Sequence, residues 1–358
     1  MSLTGLYVGR ADSLRILFSE LRRLGYVVIG YKVVDGVLRL GELNSFEELA
    51  HDVEDIQSPG KYSLVSGDFY RHGPDSPKRF LYPPTLTLFK VSSEWVVSVP
   101  AYEERNIAFF GLKPCDLASI KVLDKILLGV DEYYTSLRKN LVLVVENCVS
   151  PGGTCFCGTM NTGPRARDSF DLAYTRLNDK LVVEAGSELG LKLLNLLEVE
   201  PIDDVTYERF EVMMRNASEK ARAGFELNGL PEELELRIES KTYEEIVEKC
   251  LGCANCNMVC PTCFCFDVFD VPLIDGSAER VRVWDGCLNF TYGQVAGGHF
   301  RPDLWARYRH FVLHKLAYWI KQFGMYGCVG CGRCITWCPT GIDLRETVKK
   351  VLRGGKGG

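Results

Sequence analysis

One cysteine pattern occurs twice in the last third of this chain. The two copies are Cys250-x2-Cys253-x2-Cys256-x3-Cys260-Pro261 and Cys328-x2-Cys331-x2-Cys334-x3-Cys338-Pro339. The x2 spacings let a short loop wrap three thiolates around one face of a cubane, while the fourth cysteine points elsewhere and normally ligates another cluster. The proline that follows cannot continue the hydrogen bonding of the loop and redirects the chain. The pattern therefore predicts two 4Fe-4S clusters.

The expected ligand sets are crossed, because the fourth cysteine of each motif serves the other cluster. Cluster 1 is then held by Cys250, Cys253, Cys256 and Cys338, and cluster 2 by Cys260, Cys328, Cys331 and Cys334. The alternatives are zinc sites and disulfides. Zinc sites usually combine paired C-x2-C units and seldom have a third cysteine followed by Cys-Pro.

Disulfides are disfavoured by the compartment that the sequence indicates. The N-terminus has no apolar core long enough for a signal peptide, and no apolar run is long enough to span a membrane. We therefore expect a cytoplasmic protein without membrane insertion. In a reducing compartment, metal ligation explains 15 cysteines in 358 residues better than disulfide bonds do.

Composition limits the class of partner. A length of 358 residues allows two or three domains, and 46% hydrophobic residues provide material for their cores. The net charge is -5, and lysine and arginine are scattered among acidic residues. The chain thus lacks the basic stripe of a nucleic-acid-binding protein, so no nucleic acid is expected as a partner.

Hydrophobic periodicity predicts an α/β or α+β domain over residues 1–240 and a mostly α-helical, ferredoxin-like dicluster domain over residues 241–358. Strands are expected at 26–34, 86–91, 95–99, 106–112, 141–146 and 180–185. Helices are expected at 13–25, 116–128, 187–197, 207–225, 242–249, 301–323 and 343–352. The proline-rich segment 55–84 is predicted to be a long surface excursion.

Four further cysteines, Cys115, Cys148, Cys155 and Cys157, have one plausible meeting point. Cys115 and Cys148 each follow a predicted strand; if these strands are parallel neighbours, both cysteines emerge at the carboxyl edge of one sheet. The Gly152-Gly153 pair lets the backbone fold back and bring Cys155 and Cys157 to the same crevice. The sequence thus predicts a third 4Fe-4S cluster; the alternative is a set of buried, unligated cysteines. A helix start at Cys115 predicts a lowered thiol pKa.

Cys263, Cys265 and Cys287 flank the first motif and complete no further set of four. They are expected to be core residues or thiols that lie beside a cluster, and replacement ligands are the remaining alternative. Among five histidines, only His310 and His314 have a spacing of i, i+4, and no H-E-x-x-H motif accompanies them, so we expect surface or packing roles. The sequence contains no motif for a serine nucleophile elbow, for a phosphate-binding P-loop or for a dinucleotide-binding fold, so no catalytic residue is predicted.

Several motifs together resemble one family. They are Lys113-Pro-Cys-Asp116, Asn147-Cys-Val-Ser-Pro-Gly-Gly-Thr-Cys-Phe-Cys157, Asn161-Thr-Gly-Pro164, Trp284-Asp-Gly-Cys287, Val295-Ala-Gly-Gly298 and the two cysteine motifs. The chain resembles the β subunit of cytosolic multisubunit NiFe hydrogenases, the sulfhydrogenases, from about residue 5 to 352. It is similar also to the iron–sulfur electron-transfer subunit of anaerobic sulfite reductase.

The resemblance implies an electron-transfer subunit. Its expected partners are a diaphorase subunit that binds flavin and NAD(P)H, together with a catalytic subunit that holds NiFe, or siroheme in the sulfite reductase alternative. A free ferredoxin-like carrier is a third hypothesis, which the large N-terminal part disfavours. The chain by itself is expected to be a redox subunit of an oxidoreductase complex.

Overall fold

An eight-stranded sheet, a four-stranded sheet and a group of short helices make up the chain, and a computed structural model describes residues 5–101 and 105–354 of it. The strands are β1 (Tyr7–Arg10), β2 (Val27–Val34), β3 (Val37–Glu42), β4 (Val53–Ser58), β5 (Lys61–Ser66), β6 (Thr85–Val91), β7 (Val97–Ser98), β8 (Ile107–Leu112), β9 (Leu141–Glu146), β10 (Leu172–Leu177), β11 (Lys180–Ala185), β12 (Val199–Pro201), β13 (Phe266–Pro272), β14 (Ala278–Trp284), β15 (Gln294–Val295) and β16 (Gly298–His299).

The helices are mostly short. They are α1 (Ser13–Arg23), α2 (Lys78–Leu81), α3 (Pro114–Leu127), α4 (Glu132–Lys139), α5 (Cys157–Met160), α6 (Glu188–Leu194), α7 (Asp204–Lys220), α8 (Leu230–Glu235), α9 (Thr242–Val247), α10 (Asn255–Met258), α11 (Leu304–Leu313), α12 (Trp319–Phe323), α13 (Arg333–Thr336) and α14 (Leu344–Arg353). The single helix expected at 301–323 is divided, because the π-helical segment His314–Tyr318 joins α11 to α12.

The large sheet has the strand order β12-β1-β11-β10-β9-β8-β2-β3. Its central strands β10, β9, β8 and β2 run parallel, and the outer pairs are antiparallel. Strand β8 is buried throughout, as expected for a parallel strand with both faces covered. Phe109 packs on the face that α3 covers and Phe110 on the face that α1 covers. The hydrophobic pattern does not predict β1, β3, β10 or β12.

The neighbouring strands β8 and β9 position the N-terminal cysteines. They are parallel and are connected through α3 and α4, so their carboxyl ends lie at one edge of the sheet. This confirms the predicted arrangement of the two strands. Cys115 starts the first turn of α3 beyond β8, and Cys148 follows the end of β9.

The four-stranded sheet combines the two halves of the chain. Its order is β13-β14-β6-β7, and β6 is antiparallel to β14, so strand pairing crosses residue 240. Strands β13 to β16 all lie between the two cysteine motifs. A mixed α/β organisation is therefore present, and a mostly α-helical dicluster part is not confirmed.

The segment 55–84 is a surface excursion only in its first part, and the prediction was wrong for the second part. Its first part forms the β4–β5 hairpin. The part that follows packs inward: Tyr70, His72, Lys78 and Tyr82 are each at most 3% exposed. The prolines and glycines indicate turns in this segment correctly. The Pro59-Gly60 turn of the hairpin is exposed, whereas residues 70–73 and 76–78 are buried.

Candidate iron–sulfur sites

Thiols of both motifs line one cavity. The cysteines that line it are Cys250, Cys253, Cys256, Cys334 and Cys338. Apolar side chains that include Leu288, Tyr308 and Phe311 form much of the remaining wall. Cys253 is exposed, so this group reaches the molecular surface. The structure thus brings the four predicted ligands of cluster 1 together.

The predicted ligands of cluster 2 also converge. Cys334 lies within electrostatic range of Cys328, Cys331 and Cys260. Cys260, Cys328 and Cys331 are buried. Burial raises the pKa of Cys328 to about 12, and the nearby ammonium of Lys315 opposes that rise. Cys260 belongs to the first motif, so each group contains a cysteine from the other motif, and the assignment of ligands to clusters stays a prediction.

The two motif loops share one backbone conformation. Gly252 and Gly330 have φ values of 63° and 64°, and the residues two positions later, Ala254 and Gly332, have φ values of 55° and 79°. The amides of Gly252 and Gly330 lie 3.5 Å and 3.4 Å from the sulfurs of Cys250 and Cys328. Such amide–sulfur contacts stabilise thiolates in iron–sulfur sites. The glycine of each C-x-G-C segment therefore permits the turn that points its amide at a ligand.

The chemistry of the thiol groups fits an iron–sulfur cluster. Among residues 5–101 and 105–354, no three cysteine, histidine or acidic side chains have the geometry to bind a single metal ion. A zinc ion lies about 2.3 Å from each thiolate, so its sulfurs crowd around one point. In a cubane each thiolate binds a different iron atom, so the sulfurs lie farther apart. Cysteine thiols, amides that lie close to two of them and an apolar wall are the surroundings that such clusters have, so the residues present fit the group that the sequence predicts.

The four N-terminal cysteines lie together beside cluster 2. Cys157 has Cys155, Cys148 and Cys331 within electrostatic range, and Cys115 has Cys157 and Cys331. The sulfur of Cys155 lies 3.7 Å from the carbonyl oxygen of Cys331. All four predicted ligands of the third cluster therefore surround one buried region that adjoins the second motif.

Two glycines make this convergence possible. A Cβ atom on Gly152 would lie 2.8 Å from the side-chain oxygen of Gln57, and one on Gly153 would lie 2.6 Å from its carbonyl oxygen. The Gly152-Gly153 pair therefore allows the close backbone approach that the sequence indicates. Cys115 differs from expectation: its pKa is raised well above its usual range, because burial outweighs any effect of the helix start.

A buried ion pair joins the second motif to the N-terminal site. Arg333, in α13, lies 2.8 Å from the carboxylate of Asp116, and both side chains are fully buried. Tyr31 donates a 2.5 Å hydrogen bond to Asp116 and accepts one of 3.1 Å from Arg333. Because Asp116 follows Cys115 directly, this triad fixes both cysteine groups relative to each other. Sequence reasoning missed it, since Arg333 and Tyr31 carry no local signal of pairing.

His72 was also missed as a neighbour of the motifs. Its Nε2 lies 2.9 Å from the carbonyl oxygen of Cys331, and the side chain is buried. His310 and His314 stack on each other at 5.4 Å, and burial lowers the pKa of both to about 4. Their packing role is as predicted.

Cys263, Cys265 and Cys287 lie close to the first motif. Cys263 hydrogen-bonds to Cys260, and this contact is the largest cause that lowers the pKa of Cys260 and raises that of Cys263. Cys287 is buried beside Cys256, and Cys265 is partly exposed. All three therefore lie beside the predicted clusters, in agreement with one of the roles expected for them.

The comparisons with known proteins concern the dicluster part and the chain as a whole. Residues 249–342 match the model of the 4Fe-4S dicluster domain. Over 344 residues the chain is 34% identical to sulfhydrogenase 2 subunit beta of Pyrococcus furiosus, an alignment that covers 94% of this chain and 95% of the relative. No helix in the described residues has the length and apolar character needed to cross a membrane. The chain belongs to the family of sulfhydrogenase beta subunits and carries an iron–sulfur dicluster domain.

Proposed function

We propose that this chain relays electrons through iron–sulfur clusters between a diaphorase subunit, which binds flavin and NAD(P)H, and a catalytic NiFe hydrogenase subunit. Its relative is named as the beta subunit of a sulfhydrogenase, which supports the proposal that this chain also acts as one subunit of a complex. Bound 4Fe-4S clusters supply one-electron transfer, whereas hydride transfer by flavin and H2 cleavage involve two electrons. A series of one-electron clusters can therefore connect the site of hydride transfer with the site of H2 cleavage.

One observation carries the proposal: the three thiol groups lie one after another in the protein, from the N-terminal cysteines through the cluster 2 group to the cluster 1 group. The N-terminal cysteines lie against Cys331 of the cluster 2 group. Cys334 of that group has Cys256 within electrostatic range and lines the cluster 1 cavity. This series of thiol groups reaches the surface at the exposed Cys253. In this arrangement the N-terminal site faces one redox partner and cluster 1 faces the other.

The side chains of the chain then have defined roles. The eight motif cysteines hold clusters 1 and 2, and Cys115, Cys148, Cys155 and Cys157 hold a third 4Fe-4S cluster. The amides of Gly252 and Gly330 stabilise thiolates, and the apolar walls limit access of water, which tunes cluster potential. Residues 1–240 and 241–358 form two units that share the four-stranded sheet. The complex works in the cytoplasm without nucleic acid, and the anaerobic sulfite reductase complex is the alternative setting.

The proposal is tested in the complex that contains the full chain. Cys338→Ser removes one ligand of cluster 1, so we expect NAD(P)H-linked H2 formation to fall to background. H2 oxidation with a dye that takes electrons directly from the catalytic subunit should continue. The matched control is Arg280→Met, which alters only an exposed ion pair with Asp270 and should leave both rates unchanged.

Two results would contradict the proposal. One is an unchanged NAD(P)H-linked rate in Cys338→Ser after cluster 1 has been lost, because the relay would then bypass this site. The other is a complex that contains siroheme and reduces sulfite without forming H2, which would favour the sulfite reductase setting.

A further inference from the structure

A second group of thiols lies outside the twelve cysteines assigned above. Cys263 and Cys265 come from the segment after the first motif, and Cys287 comes from the loop after β14. Cys265 is within electrostatic range of both Cys263 and Cys287. The three sulfurs thus converge from two chain segments; they are called the three-thiol site below.

Asn257 connects the members of this site. Its side-chain nitrogen lies 3.5 Å from the sulfur of Cys263 and 3.5 Å from that of Cys287. Asn257 is fully buried, and its oxygen accepts from the amide of Leu288, so the nitrogen is the end that faces the sulfurs. A Cβ atom on Gly286 would lie 2.6 Å from Asn257, so a glycine beside Cys287 is required here. A donor amide directed at two thiols matches the hydrogen bonding of cluster sulfurs.

Two buried lysines give an independent indication of negative charge at this place. Lys78 and Lys315 are 2% and 4% exposed. Lys78 donates to the carbonyls of Cys263 and Met258, and Lys315 donates to the hydroxyl of Thr262 and the carbonyl of Gly327. Lys315 also hydrogen-bonds to the sulfur of Cys260. Within the part of the chain that the structure describes, neither forms an ion pair with a carboxylate.

Buried charges are rarely left without a counter-charge. The anionic candidates nearest to Lys78 are Cys263, Cys260 and Cys265, and those nearest to Lys315 are Cys260, Cys263 and Cys328. Lys315 therefore lies between cluster 2 and the three-thiol site. Lys78 has Cys263 of the three-thiol site as its strongest negative neighbour and Cys260 as the second, and its ammonium also lies 3.8 Å from the ring centre of Trp284.

We propose that Cys263, Cys265 and Cys287 bind an additional iron–sulfur cluster through three cysteine ligands. On binding, each thiol releases its proton and its thiolate bonds one iron atom. Such a cluster either lacks the fourth iron or carries a non-cysteine ligand on it. The hydroxyl of Tyr292 lies 3.6 Å from the sulfur of Cys265 and is one oxygen close to the site. A single metal ion does not fit, because no three ligands in the described residues have the necessary geometry.

The site lies close to both predicted clusters and would offer a second route for electrons. Cys263 hydrogen-bonds to Cys260 of cluster 2, and Cys287 lies close enough to Cys256 of cluster 1 to raise its pKa. Cys265 and Tyr292 are partly exposed, so the same site also reaches the surface. An electron can therefore enter or leave between clusters 1 and 2 without passing the N-terminal site.

The test uses the full chain, purified without oxygen and reconstituted with iron and sulfide. Cys265→Ser and Cys287→Ser are each compared with the unchanged chain by iron analysis and by electron paramagnetic resonance. Each variant should lose about three or four iron atoms per chain and one cluster signal, while the signals of clusters 1 and 2 persist. Cys265 is partly exposed, so this variant reports on the site even where the buried Cys287 variant folds poorly.

Tyr292→Phe serves as the matched control, because it removes the nearby hydroxyl and retains all three thiols. It should keep at least about three of these iron atoms. An iron content and spectrum unchanged by Cys265→Ser would overturn the proposal and make these thiols packing residues. Loss of stoichiometric zinc instead of iron would also overturn it. Neither result affects the relay function, which depends on Cys338 and is measured separately.

Discussion

At the scale of single residues, the position of each fourth cysteine decides which loops are connected. Cys338 lines the cavity of the first motif, and Cys260 lies among the thiols of the second. The ion pair between Arg333 and Asp116 likewise connects the second motif to the segment that carries Cys115. Individual side chains thus tie together segments that are far apart in sequence.

The crossed ligands give a direct prediction. We expect Cys338→Ala to damage the cluster held by Cys250, Cys253 and Cys256, because its sulfur faces that group. Cys256→Ala should abolish the same signal in electron paramagnetic resonance, and Cys260→Ala should abolish the other one. If Cys338→Ala and Cys256→Ala remove different signals, the crossed assignment is wrong.

The buried ion pair gives a second prediction at this scale. Arg333→Met leaves the carboxylate of Asp116 buried without its partner, so the free energy of unfolding should fall by about 3–5 kcal/mol. Urea unfolding of the full chain, followed by circular dichroism, measures this change. Arg280→Met breaks an exposed pair with Asp270 and should leave the urea midpoint nearly unchanged. Equal midpoints for both variants would mean that the buried pair does not stabilise the fold.

At the scale of elements, the two motif loops are alike in backbone and differ in what covers them. Gly252 faces little beyond the side chain of Leu304, whereas a Cβ atom on Gly330 would lie 2.6 Å from the backbone of Phe156. The second loop is therefore packed directly against the segment that carries Cys155 and Cys157. The β4–β5 hairpin holds its other side, since the amide of Gly60 donates to the carbonyl of Ile335 over 3.0 Å.

This difference predicts unequal effects of the same substitution. Gly252→Ala and Gly330→Ala impose a similar backbone strain of about 1–2 kcal/mol, because both glycines have φ near 64°. Gly330→Ala adds a clash with the backbone, which typically costs about a further 1–3 kcal/mol. Thermal unfolding should thus show a lower midpoint for Gly330→Ala than for Gly252→Ala. A reversed order would contradict the packing of the second loop on the N-terminal segment.

At the scale of the whole molecule, the α/β sheet and the dicluster part form one continuous structure around the thiols. Strand β6 pairs with β14 across residue 240, and Lys78, close to β6 in sequence, donates to the carbonyl of Cys263. The N-terminal cysteines lie at the carboxyl edge of the large sheet and next to Cys331. A cluster at that edge would be the first or last step of the relay.

The third cluster predicts a measurable iron difference in the full chain. Cys155→Ser should lower the iron content by about four atoms per chain if Cys155 is one of four thiols that hold one cubane, as proposed above. Anaerobic reconstitution followed by iron analysis measures this loss, with Gln57→Glu as a control that alters a neighbour of Cys155 without removing a thiol. Unchanged iron in a folded Cys155→Ser variant would mean that these cysteines are packing residues.

The sequence by itself determined the cofactor class of this protein and three of its four central parallel strands, β2, β8 and β9, because both depend on patterns within short segments. C-x2-C-x2-C-x3-C-P encodes a ligand loop locally, and fully apolar runs such as 107–112 encode a covered strand. The tertiary structure alone decided what depends on contacts between distant segments. The inward packing of residues 70–82, the Arg333–Asp116 pair and the meeting of Cys263 with Cys287 are such contacts. Local hydrophobic periodicity does not predict these contacts, because the two residues of each contact lie far apart in the sequence.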